Sequence, residues 1–231
     1  MTIKPHFITF TGADDQTYVA DMLGLANAFP VEFGVLFSPK LTGTPRYPSA
    51  AWVSSLVATS ADRLHLSAHI CGDYTRELLD TGTIRDLAPM LASGSFGRIQ
   101  INTSDPRALR QLEKISAFGE SLDVEVILQT RDPIHFPRYS KVQWLFDASG
   151  GRGIQPERWP VDVTGRLVGF AGGLRSSNVL AAVEVIGSET RSFWIDMETG
   201  IRSSGDLFSI EECTRVCQLV FGHRDIATDL S

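Results

Sequence analysis

No stretch of this chain approaches the roughly 18 uninterrupted apolar residues that a membrane-spanning helix needs. The opening MTIKPHFITFTG has no apolar segment ending in a small-residue cleavage site. Together these absences predict a cytoplasmic protein with no membrane partner. Cysteine is scarce: three among 231 residues, an odd number, do not make a disulfide framework. Cys213 and Cys217, four apart in an apolar helical pattern, read as packing residues rather than metal ligands. No metal and no organic cofactor is expected. Basic runs are missing too: 21 Lys and Arg against 27 Asp and Glu, a net charge of -6 with no compensating cluster of Lys and Arg, disfavours nucleic acid as a partner. An anionic ligand must therefore find local backbone donors.

Low-complexity tracts, spacer-like segments and self-similar repeats are also absent, so residues 1–231 are expected to form one domain. Nothing in the sequence chooses between a monomer and a homodimer.

What is present is alternation. Eight apolar runs rich in β-branched and aromatic residues predict strands over 7–11, 31–37, 64–70, 98–102, 124–130, 142–148, 166–172 and 192–198. Helical patterns lie between most of them. Ser104-Asp105-Pro106 reads as a helix start, with Leu109, Leu112, Ile115 and Phe118 following at helical spacing. Val179, Ala182, Val183 and Ile186 mark another helix, and Ser209 with Glu212 forms a capping-box pattern ahead of a third. The fifth unit is weakest, since DPIHFPRYSK carries two prolines and predicts a loop or a broken helical turn. Repeated β-then-α units over this length predict a single (β/α)8 TIM barrel. An open dinucleotide-binding sheet would show G-x-G-x-x-G after its first strand, whereas here Thr11-Gly12-Ala13-Asp14 follows it.

Glycines cluster instead after strands six, seven and eight, in DASGGRG, AGGL and DMETG. Glycine past a strand end lets backbone N–H groups converge on an oxyanion without Cβ interference. Gly150, Gly151, Gly153, Gly172, Gly173, Thr199 and Gly200 are therefore candidate phosphate ligands, and a small phosphorylated metabolite is the expected partner.

In order and spacing, FTG near the start, GVLFSPK with PRY after it, LFDASGGRG, FAGGLRSSNV and IDMETGIRS resemble the phosphoribosylanthranilate isomerase family. The resemblance runs the length of the chain. It implies an Amadori rearrangement, in which a phosphorylated aminoaldose becomes an aminoketose by general acid and base chemistry, and a place in tryptophan biosynthesis. It assigns the acid to Asp147; the alternative is an aspartate that caps its own loop. Family members carry the base as a strand-one cysteine in I-C-G, where this chain has Thr11, a hydroxyl too weakly acidic for that part but able to hydrogen-bond a ligand.

His69 and Cys71, on one strand face by alternation, are the candidate replacement bases, a histidine titrating near neutrality and a thiol able to ionise. The alternative is a buried histidine beside a packed cysteine. Gln100, Asn102 and Gln129 at strand ends supply amides suited to sugar hydroxyls or a planar ring. Arg46 matches an arginine that in the family contacts the substrate carboxylate, although LTGT just before it is an insertion; a solvent-exposed loop charge is the alternative. Asp196 has a family counterpart and is expected to be structural. Glu198 stands where serine is common and places acid near the phosphate. Two other readings remain open: a different phosphosugar enzyme, such as a lyase or epimerase, and a phosphometabolite-binding protein without catalysis.

Overall fold

The computed structural model describes residues 3–60, 63–150 and 152–224. Eight parallel strands close into a barrel in sequence order: β1 (Ile8–Thr11), β2 (Val31–Phe37), β3 (His65–Cys71), β4 (Arg98–Asn102), β5 (Glu125–Thr130), β6 (Gln143–Asp147), β7 (Val168–Ala171) and β8 (Phe193–Met197). Around it pack α1 (Val19–Ala28), α2 (Ala50–Ser60), α3 (Asp73–Thr81), the short α4 (Ala88–Leu91), α5 (Leu112–Leu122), α6 (Val179–Glu189) and α7 (Ile210–Phe221).

Strand alternation sorts side chains into two layers. Ile8, Phe10, Phe33, Val35, Ala68, Ile70, Ile99, Ile101, Phe146, Phe170, Phe193 and Ile195 point outward into the apolar layer beneath the helices. Their neighbours point inward. On the β5 to β8 side the interior is apolar, with Ile127, Leu145, Ala171 and Trp194 in contact. Trp194 fits because position 169 is glycine: a Cβ there would overlap the indole and Leu145. On the β1 to β4 side the interior is polar. Arg98 donates to both carboxylate oxygens of Glu32 at 3.2 Å, and Thr9 donates to the same carboxylate at 2.8 Å. The guanidinium lies 4.2 Å from the Trp194 ring and 5.1 Å from that of Phe7, so its flat faces meet π-systems. This plug closes the barrel bottom and leaves the C-terminal strand ends open.

Two connections depart from the regular alternation. Of the two outcomes left open for DPIHFPRYSK, the loop is the one found: the segment after β5 forms no helix among the described residues. The one after β6 forms none either, since Pro156 and Pro160 interrupt it and Gly150 and Gly153 hold φ of 59° and 66°. Aromatic residues cover the barrel there. Phe136 packs on Phe170 with centroids 5.4 Å apart, and Trp159 packs on Phe146 and Phe170 at 6.0 and 5.9 Å. The helix expected from Ser104 begins later, at Leu112, because Asp105 accepts from Arg107 N at 2.9 Å and closes a short turn instead. At α7 the capping pattern is present, with Ser209 accepting from Glu212 N at 3.2 Å, and Cys213 and Cys217 are buried against the core.

Candidate active site

The inward residues at the C-terminal strand ends line a cavity of about 430 Å³. Thr11, His69, Cys71, Gln100, Asn102, Gln129, Asp147, Gly150, Gly153, Gly172, Gly173, Thr199 and Gly200 all border it. Gly151 lies outside the described residues. Arg46 is the exception among the expected residues: it does not border the cavity.

The β3 to β5 wall is a chain of polar side chains. Gln100 Nε2 donates to Asn102 Oδ1 at 2.9 Å, Gln129 Nε2 donates to the same oxygen at 3.2 Å, and Asn102 Nδ2 donates to Cys71 Sγ at 3.5 Å. Deeper, the Gln100 amide lies 3.3 Å from His69 Nδ1, and Ser67 Oγ lies 3.0 Å from His69 Nε2. With the amide donating, Nδ1 accepts and Nε2 carries the proton.

Neither expected base has the acid–base character that the part requires. Burial, with the Arg98 charge adding to it, pushes His69 down to about 3, so the imidazole is neutral and only weakly basic. Burial pushes the Cys71 thiol up to about 11, against the opposing hydrogen bond from Asn102, so no useful thiolate fraction exists at neutral pH. Tyr47, which also borders the cavity and bonds Cys71, is itself pushed up to about 12, chiefly by burial.

A carboxylate answers the description better. Asp196 borders the cavity at 7% exposure and accepts from Thr11 Oγ1 at 2.9 Å. Burial raises it to about 7; the Thr11 hydrogen bond opposes this, and the charges of Glu198, Glu32 and Asp147 reinforce it. In register, Asp147 pairs with Ala171 and Ala171 pairs with Asp196, so the two acids face the cavity with one strand between them. Asp147 accepts from Ser149 N at 3.0 Å and from Ser149 Oγ at 2.7 Å, which fixes its rotamer.

These shifts carry opposite stability signatures. His69, lowered from 6.5 to about 3, supports the fold above pH 6.5, and that support fades as pH falls toward 3. Asp196, raised from 3.8 to about 7, supports the fold fully below pH 3.8, and that support is lost as pH rises through 7. Asp196→Asn is therefore expected to raise Tm relative to the parent at pH 8 and to leave it almost unchanged at pH 4. Thermal melts at the two pH values check this, and an equal shift at both would rule out ionisation as the cause.

The glycine loops interlock on the far side. A Cβ on Gly173 (φ 62°) would overlap the backbone of Gln155, one on Gly200 would overlap the Leu174 carbonyl, and one on Gly153 would lie 3.3 Å from Thr199 Cβ. The loops after β6, β7 and β8 thus approach backbone to backbone. Asn178, just ahead of α6, donates to Gly173 O at 3.0 Å and accepts from Arg175 N at 2.8 Å, which tethers the helix start to the same cradle. Convergent loop backbone with a helix start beside it is an arrangement suited in principle to an anionic group.

Arg46 is committed elsewhere. Its guanidinium donates to Glu198 at 2.7 Å, to Thr199 at 3.3 Å and to Asp206 at 2.7 and 3.3 Å. Its own backbone, at φ 74°, is pinned by a 2.9 Å bond from its N–H to Asp14. Arg202 closes the same lattice through Gly12 O at 2.8 Å, Asp206 at 2.7 Å and Asp14 at 3.5 Å. Tyr47, Ser149 and Arg131 border the cavity without having been singled out in the sequence. Alternation was a usable signal for Arg131, two residues past Gln129; the return of a loop over the mouth gave none for Tyr47.

No protein-family model matches the chain, and no curated protein matches it by sequence. Solved structures do match in shape. TrpF from Jonesia denitrificans superposes with a TM-score of 0.62 at 18% identity, over 94% of this chain and 97% of the other. A monomeric form of the dimeric phosphoribosylanthranilate isomerase from Thermotoga maritima superposes at 0.57 and 14% identity, over 96% of this chain and 100% of the other. Likeness at this level of identity establishes architecture: the chain is a closed (β/α)8 barrel, built on the fold seen in those two structures.

Proposed function

We propose that the cavity binds a phosphorylated sugar derivative and isomerises it from aldose to ketose by an Amadori-type rearrangement. Asp147 donates a proton to the furanose oxygen as the ring opens and C1 becomes an iminium. Asp196 takes the proton from C2, and the resulting enaminol gains a proton at C1 as the C2 hydroxyl becomes a carbonyl. The observation that carries this reading is the Thr11–Asp196 hydrogen bond inside the cavity. It sets a buried carboxylate beside the position at which the family resemblance leaves no base. A carboxyl group held near 7 is a far stronger base than an ordinary carboxylate and is still about half ionised at neutral pH.

One observation favours a neighbouring reading, a different phosphosugar enzyme on the same scaffold. The Arg46 fork, expected to meet a substrate carboxylate, is filled by Glu198 and Asp206. Turnover of phosphoribosylanthranilate, followed by loss of its fluorescence, separates the two. Turnover by the parent supports the anthranilate substrate; a parent that binds phosphosugars without consuming this compound supports the neighbouring reading.

A further inference from the structure

The polar wall on β3 to β5 has a hydrogen-bond polarity that one backbone carbonyl fixes. The Cys71 thiol donates to His69 O at 3.7 Å, and a carbonyl can only accept. Cys71 Sγ is left as an acceptor, so Asn102 presents Nδ2 to it at 3.5 Å and turns Oδ1 the other way. That oxygen takes Gln100 Nε2 at 2.9 Å and Gln129 Nε2 at 3.2 Å. The Gln100 Nε2 group also reaches His69 Nδ1, at 3.3 Å. Both glutamines are thus held through their NH2 groups, and among the described residues neither Oε1 accepts a hydrogen bond. Gln100 is only 3% exposed, and neither oxygen is sealed away from the cavity that both residues border. Carbonyls in so enclosed a place call for donors from whatever fills the cavity.

The wall therefore offers a ligand two acceptors and, from the remaining Asn102 N–H, one donor. A primary carboxamide is the complement, with two N–H donors and one carbonyl. A carboxylate has acceptors only and would set its charge against the two oxygens. The surrounding charges act in the same direction. Asp147, Asp196 and Glu198 border the cavity, and the Arg46 fork is filled by Glu198 and Asp206. Arg131, the only lysine or arginine among the described lining residues, lies against Gly150 and so belongs with the glycine loops. In the ring of eight strands β4 stands across the barrel from β8, so the wall faces the end of a ligand remote from those loops. We propose that Gln100, Asn102 and Gln129 recognise a neutral N–H-donating group, a primary carboxamide foremost, at the non-phosphate end of the ligand, and discriminate against a carboxylate there. This rests on the reading of the cavity as a phosphosugar site but not on the isomerase chemistry.

Calorimetric binding of N-(2-carbamoylphenyl) and N-(2-carboxyphenyl) 1-amino-1-deoxyribulose 5-phosphate tests it, with the N-phenyl compound as reference. The first two are near-isosteres that differ in charge and donor count. The parent is expected to prefer the carbamoyl compound by roughly tenfold or more. Gln129→Leu, which removes one acceptor, is expected to narrow the ratio to about threefold or less. Gln129→Glu keeps an acceptor and adds charge, so the ratio should widen beyond that of the parent. Damage to packing alone would weaken all three probes together and leave the ratio in place. Carboxy binding as tight as carbamoyl in the parent, a ratio that Gln129→Leu does not move, or a shift in the same direction in both variants would overturn the proposal and leave the phosphosugar reading standing. No binding of any probe to the parent would overturn both. The expected ratios in a protein that turns over none of the corresponding aminoaldoses sink the isomerase reading alone.

Discussion

Replacing Asp147 by asparagine is expected to lower turnover of a phosphorylated aminoaldose by about 10²- to 10⁴-fold, the range for removal of a positioned proton donor. The residue ends β6 at 4% exposure, with its carboxylate already oriented by Ser149 N and Oγ. Asparagine keeps the shape and an acceptor oxygen for those two bonds, so the loop geometry survives and substrate binding changes little. What asparagine cannot do is deliver a proton to the ring oxygen. The loss should therefore fall on kcat with KM nearly constant, the pattern of an interaction made in the transition state. Steady-state kinetics with a melting curve as folding control decide it. Unchanged kcat in a folded variant would remove Asp147 from the chemistry.

The second large effect is expected at Gly173. Valine there meets two obstacles at once: φ of 62°, which side-chain-bearing residues rarely adopt, and the backbone of Gln155 and Gly153 where its Cβ must go. The loop after β6 has to move away, and the cradle loses its convergence of N–H groups. Binding of inorganic phosphate should fall by about 100-fold or more, the loss of two or more charge-assisted hydrogen bonds. Gly165→Val is the matched control, because it has φ of 80° and open space around its Cβ position. It carries the backbone strain, of order 1–3 kcal/mol, without touching the cradle. Both variants should melt earlier than the parent, and only Gly173→Val should lose phosphate. Retained phosphate affinity in Gly173→Val would place the anion elsewhere.

Most of the barrel was legible because each strand needs one apolar face, and a period of two is visible in a short run. The predicted strands agree with the observed ones to within about two residues at each end, the largest difference being 166–172 against Val168–Ala171. The unit after β6 was less legible, since its cover is made by Trp159, an aromatic residue in a proline-bearing loop, rather than by a periodic helix. Within the cavity, alternation placed His69 with Cys71 and Gln100 with Asn102 on common faces, and all four border the same space. Their protonation behaviour could not be read that way. His69 is held neutral by burial and by Arg98 on the next strand, and Asp196 is raised by burial among acids from β2, β6 and its own loop. The pairing of Arg46 was illegible for the same reason: Asp206, one of the carboxylates that fill its fork, lies 160 residues further along the chain.

The central claim is that Asp196, hydrogen-bonded to Thr11, acts as the base where the strand-one cysteine is missing. The pH dependence of kcat/KM for phosphoribosylanthranilate, in the parent and in Asp196→Asn, tests it most directly. A base must be ionised to work, so activity of the parent should rise with pH through about 7, and the variant should lose activity together with that rising limb. Activity that falls through the same range, or a rising limb that persists in Asp196→Asn, would contradict the account.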